Sequence, residues 1–151
     1  MNLREQLPSL LPLAIDWAEA EAHRGYACGV ALNEAGLNIA RSVGVQHPEL
    51  IRIVAVDRLP FPENAQLRAA AVATDLLGPS ATGLTLHYTV FLCKYDNRPE
   101  LLAHECRHVA QYEEAGSIAA FLPTYLHQIV TVGYENAPLE RDAREYERFA
   151  A

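Results

Sequence analysis

The residues best able to do chemistry in this 151-residue chain stand together in the run His104-Glu105-Cys106-Arg107-His108. Histidines four apart lie one turn apart on the same face of a helix, so their imidazoles can converge on one cation. Glu105, adjacent to His104, is turned by about 100° and reaches a position beside such a cation. The pattern is H-E-x-x-H, in which the histidines bind zinc and the glutamate acts as general base. Neutral imidazoles hold zinc without cancelling its charge, and an open coordination position takes a water whose pKa falls toward neutrality. Glu105 is then placed to accept the proton as that water attacks a carbonyl, and to pass it to the leaving amine. The plain alternative is two partly buried histidines beside a solvated glutamate. Position speaks for the first reading: the motif falls mid-helix, among the apolar Leu101, Leu102, Val109 and Ala110.

Two histidines do not complete a site. A third histidine on the same helix would require glycine at 111 and histidine at 114, where the chain has Gln111 and Glu114. The remaining candidates lie downstream: Glu140 first, then Glu135 and His127. Glu140 stands early in an expected helix, and the small Ala143 would let that helix approach the histidines closely. Its competing role is a surface pair with Arg144 at i, i+4. An oxyanion also needs a donor besides the metal, and Tyr134, Tyr112, His87 and His127 are candidates by residue type. Cys106 points away from the ion by helical phase. Trp17, Phe121 and Tyr125 read as core.

The elements that must position these groups follow from periodicity. Residues 10–24 are rich in alanine and glutamate and read as a helix ended by Gly25; residues 30–43 read as a second helix. Residues 50–56 are rich in β-branched side chains and read as a strand. Residues 63–77 read as helix. Residues 84–93 alternate with period two and read as one half-buried strand, with Leu84, Leu86, Tyr88, Val90 and Leu92 on one face. Asn97, with Glu100 three residues on, predicts a capping box that opens the histidine helix, and Gly116 closes it. Residues 117–132 predict a further helix containing Pro123, and Pro138 opens a charged last helix that runs to the C-terminus. This order predicts an α+β fold, mostly helical with a small sheet, in one domain over residues 1–151.

Composition narrows the function. A net charge of −7 and only 12 Lys and Arg disfavour phosphate backbones and anionic membrane surfaces. Cys28, Cys93 and Cys106 are too few and too widely spaced for a disulfide framework or a thiolate knuckle, so free thiols in a reducing, cytoplasmic compartment are expected. Residues 7–15 are apolar but hold Pro8 and Pro12 and read as part of an amphipathic helix rather than a leader. No run approaches the ~18 apolar residues of a transmembrane helix.

Taken together, His104-Glu105-Cys106-Arg107-His108, an intervening helix, and the run Tyr134-Glu135-Asn136-Ala137-Pro138-Leu139-Glu140-Arg141-Asp142-Ala143 resemble the minimal gluzincin-type metallopeptidase domains, a zincin-like architecture. The resemblance covers residues 80–146, about half the chain. It implies that His104, His108 and Glu140 bind one zinc ion and that Glu105 is the base. It also implies that residues 84–92 form the edge strand, along which a peptide or protein substrate would lie antiparallel. One departure is clear: the aspartate that follows the glutamate ligand by four residues in the thermolysin-like branch is Arg144 here, leaving Asp142 or Asp75 to support a histidine. The expected function is thus a zinc-dependent peptidase. The alternatives are a catalytically silent zinc-binding structural or interaction domain, and a helical scaffold without metal.

Overall fold

A computed structural model describes residues 2–150. The fold is α+β. Asn2 caps the first helix, α1 (Leu3–Cys28), by accepting from the amides of Arg4 and Glu5. Leu10, Ala14 and Ala18 form its buried stripe. Gly25 does not end this helix; it lets the helix lie against the sheet. A Cβ there would stand 2.7 Å from Phe91 Cζ and 2.8 Å from Thr89 Cγ2, so any larger residue would force the layers apart.

The stretch expected as one helix from residue 30 is instead a short strand, β1 (Val30–Ala31), followed by α2 (Glu34–Ser42), with Asn33 accepting from Gly36 N as the N-cap. Strand β2 (Arg52–Val56) and helix α3 (Ala65–Ala73) come next. The alternating segment that follows is two strands rather than one. β3 (Gly83–Leu86) and β4 (Thr89–Cys93) form an antiparallel hairpin with Leu86 opposite Thr89. The two-residue turn is His87-Tyr88, and His87 takes a φ of 60°. Alternation alone cannot reveal such a turn when its residues keep the period. The sheet order is β1-β2-β4-β3, with β2 and β4 parallel and the other pairs antiparallel. β3 is therefore an edge strand, and residues 89–93 lie inside the sheet.

Helix α4 (Pro99–Ala115) carries the H-E-x-x-H run. Arg98, not Asn97, is its N-cap, and no side chain caps it; Pro99 opens it without needing a donor. Gly116 ends it with a φ of +102°. The helix is buried nearly all round. Cys106 and Val109 pack with Val43, Ile51 and Val90, while Tyr112 packs with Phe91, Phe121 and Tyr125 on the other side. Val90 and Phe91, neighbours on β4, thus feed two different core clusters, as the pleat requires. α5 (Ile118–Val132) starts at Ser117, whose hydroxyl accepts from Ala120 N, and runs through Pro123 to Gly133. α6 (Pro138–Glu145) is two turns long and passes into a 3₁₀ segment, Tyr146–Ala150, instead of continuing as α-helix. Among the described residues no helix is long and apolar enough to cross a membrane.

Candidate metal centre

α4 and α6 meet so that three predicted ligands converge. His104 Nε2 lies 3.1 Å from Glu140 Oε1, and His108 Nε2 lies 2.9 Å from Glu140 Oε2. The two imidazoles are 4.9 Å apart between centroids and nearly perpendicular, at 76°. Glu140 is only 1% exposed, far from the surface pairing with Arg144 that its sequence neighbourhood allowed. Arg144 instead donates to the carbonyl of Glu135. Ala143 is fully buried, and α6 packs against α4. Glu135 and His127 are exposed and stay outside the cluster.

The outer nitrogens of both rings are held. His104 Nδ1 lies 2.9 Å from Glu147 Oε2. A carboxylate only accepts, so the histidine donates there. His108 Nδ1 lies 2.7 Å from Gln111 Oε1. The Gln111 amide nitrogen donates to Leu139 O at 3.0 Å and to Asp142 Oδ2 at 2.8 Å, which fixes its oxygen as the acceptor for His108. Fixing Nδ1–H on each ring turns both Nε2 atoms toward Glu140, the orientation that metal-binding histidines use. Asp142 therefore supports His108 through Gln111, whereas the exposed Asp75 takes no part. Glu147 and Gln111 were not legible as partners beforehand; the signal for Gln111 was its i, i+3 spacing from His108.

Tyr125, read from sequence as core, donates its hydroxyl to Glu140 Oε2 at 2.6 Å. Burial alone would raise the Glu140 carboxyl. The charge on His108 and the hydrogen bonds from His104, His108 and Tyr125 outweigh burial and hold it well below the usual carboxylate range. Burial likewise works to lower His104, but Glu140, Glu105 and Glu147 raise it to about 9. His108 moves up for the same reason: burial opposes and Glu140 wins.

Glu105 points to the sheet side of the cluster. Thr85 Oγ1 donates to its Oε1 at 2.8 Å and to its backbone carbonyl at 3.1 Å. Gly83 leaves room for the carboxylate, since a Cβ there would stand 2.8 Å from Glu105 Oε2. Tyr134 lines a cavity together with Glu105, His108 and Glu140, and burial keeps its phenol protonated far above neutrality. Tyr112 also borders the cavity but is stacked 3.9 Å from Phe121, His87 sits on the hairpin turn, and His127 is exposed. Cys106 faces the core, where burial pushes its thiol up to about 12, and all three cysteines are free.

Set against known proteins, the chain matches no family model, no curated protein and no solved structure. The residues themselves therefore carry the functional reading. The ligand atoms of His104, His108 and Glu140, one from each residue, all lie within 4.8 Å of one another, so modest side-chain shifts would close the set around a divalent cation. Two donor atoms on a tetrahedral zinc ion stand roughly 3.3 Å apart, within a few tenths of an ångström of the two separations given above. Two imidazole nitrogens and a carboxylate form a ligand set used by catalytic zinc. Among the described residues the cluster holds three such ligands and no fourth.

Proposed function

We propose that this chain is a zinc-dependent hydrolase with a zincin-like active site, a metallopeptidase acting on an extended peptide or protein segment. His104, His108 and Glu140 would hold one zinc ion. The reading rests on one observation: both Nε2 atoms face the two oxygens of a buried Glu140, while both Nδ1 atoms are engaged elsewhere. Zinc bound there would supply Lewis-acid polarisation and acidify water.

The chain's own residues would do the rest. Thr85 occupies Glu105 Oε1, leaving Oε2 to take up and return a proton at the cavity wall. Tyr134, a protonated phenol on the same wall, can donate to a developing oxyanion. Among the described residues β3 pairs with a strand on one side only, so its other edge suits an added antiparallel strand, and it carries the two residues that cradle Glu105. Three protein ligands and an adjoining cavity favour catalysis over a closed structural zinc site, which would use four.

The test begins with zinc content of the purified full chain by atomic absorption, where one ion per chain is expected. Glu140→Ala should lower zinc affinity sharply. Glu105→Gln should retain zinc and lose cleavage of a mixed peptide library followed by mass spectrometry. A chain that takes up no zinc, or a Glu105→Gln variant that cleaves like the parent, would refute the proposal.

A further inference from the structure

The cavity beside the cluster has a volume of about 130 Å³. Trp17 and Ala14 of α1, Ala71 of α3, Leu84 of β3, and Leu126 and Ile129 of α5 supply its apolar wall. The charged or basic side chains on its lining, among the described residues, are Glu105, His108 and Glu140. The chamber is thus polar where those three residues, Thr85 and the hydroxyls of Tyr125 and Tyr134 border it, and mostly apolar elsewhere. Such a chamber penalises a charged or strongly polar occupant, which would lose water without gaining partners.

We infer that the substrate carries one bulky apolar side chain, of leucine or phenylalanine size, next to the carbonyl presented to Glu105. This rests on the zinc hydrolase reading and adds the substrate class to it. Size sets the limit. An apolar cavity of roughly 150 Å³ accepts a benzene molecule, so the present one takes a single ring or a branched four-carbon chain. A long acyl chain exceeds it. The walls come largely from α1, α3 and α5, so selectivity resides in elements outside the H-E-x-x-H helix.

The experiment uses the zinc-loaded full chain and three hydroxamic acids sharing one metal-binding head. Acetohydroxamic acid presents the head alone, phenylacetohydroxamic acid adds a ring, and decanohydroxamic acid adds a long chain. Zinc stoichiometry is measured first, and affinities then follow by titration calorimetry. The phenyl compound should bind about 10- to 100-fold tighter than the acetyl compound, the gain expected from burying one such group. It should also bind tighter than the decanoyl compound, and Ala71→Leu, which narrows the cavity, should shrink its advantage over the acetyl compound. Equal affinities for the phenyl and acetyl compounds, or tightest binding of the decanoyl compound, would overturn the inference on the parent protein alone. A ratio unmoved in a folded Ala71→Leu variant would overturn it too. Failure to bind zinc would instead remove the metal reading beneath it, and the separate zinc measurement tells these failures apart.

Discussion

Glu147 reaches from the C-terminal 3₁₀ segment to His104, its Oε2 standing 2.9 Å from the ring's Nδ1. The contact spans 43 residues of sequence and fixes which nitrogen of His104 faces Glu140. Outer partners of this kind typically change metal affinity 10- to 100-fold when removed. Glu147→Ala should therefore weaken zinc binding by about that factor in a competition titration with a chromophoric chelator. Glu147→Gln, which keeps an acceptor oxygen, should recover most of the loss. Equal affinity in all three proteins would show that the ring is oriented by packing alone.

Gly83 offers a way to disturb Glu105 while leaving His104, His108 and Glu140 untouched. A methyl group at this position would meet the Glu105 carboxylate at 2.8 Å and its Cγ at 2.9 Å. The carboxylate must move, and it then loses the Thr85 hydroxyl that holds its Oε1, while that hydroxyl keeps the Glu105 backbone carbonyl as acceptor. Gly83→Ala should keep zinc stoichiometry near the parent's and reduce peptide cleavage by about 100-fold, the low end of what a positioned general base contributes. Zinc loss in parallel with activity would mean that the substitution acts on the cluster as a whole.

The convergence of His104, His108 and Glu140 was more legible in the sequence than the details of the architecture around it. The i, i+4 spacing fixes two imidazoles on one helix face, so His104 and His108 could be paired from sequence. Glu140 could be preferred because Ala143 allows close approach of its helix, and the structure brings it to both rings. Glu147 could not be seen, because nothing local links a 3₁₀ segment to a helix 43 residues earlier. The β3–β4 hairpin was hidden because His87 and Tyr88 continue the alternation while making the turn. Asn97 looked like a cap by type, but Pro99 shifts the helix start so that Arg98 takes that place. Gly25 looked like a stop signal, yet its missing side chain serves contact with Phe91 inside a helix that runs on to Cys28.

Asp96 should contribute a pH-dependent term to stability. Its carboxylate accepts from Arg98 Nε at 2.7 Å, Arg98 Nη2 at 2.8 Å and Thr82 Oγ1 at 2.7 Å. The Arg98 hydrogen bond is the chief cause holding its carboxyl well below the usual range; burial opposes it as the next-largest effect, and Thr82 adds to the lowering. A carboxyl with a depressed folded-state pKa stabilises the fold above its unfolded value of about 3.9, and that stability is lost as pH falls toward the folded value. Arg98 is 60% exposed, so screening limits the contribution to about 1 kcal/mol or less. Asp96→Asn should be less stable than the parent by that amount at pH 7 in urea denaturation, with the gap narrowing below pH 4. A gap that widens on acidification would contradict the assignment.

Arg107, inside the H-E-x-x-H run, binds three elements together. Its Nε donates to Asp142 Oδ2 at 2.7 Å, its Nη1 donates to Val43 O at 2.9 Å, and its guanidinium lies 3.9 Å from the Tyr146 ring centroid. Asp142 also accepts from Gln111, which in turn holds His108, so Arg107 lies at the far end of a chain leading to the His108 ring. Burial works to raise the Asp142 carboxyl, but the bonds from Arg107 and Gln111 keep it low and charged. A planar guanidinium can serve a carboxylate, a carbonyl and an aromatic face at once; an ammonium cannot. Arg107→Ala should cost about 2 kcal/mol in urea denaturation, the range for hydrogen bonds to charged groups. Arg107→Lys should recover less than half of that cost and leave zinc affinity below the parent's, because charge alone does not rebuild the fork. A lysine variant matching the parent in both measurements would reduce Arg107 to a point charge and sever the proposed link between α2, α6 and the His108 ring.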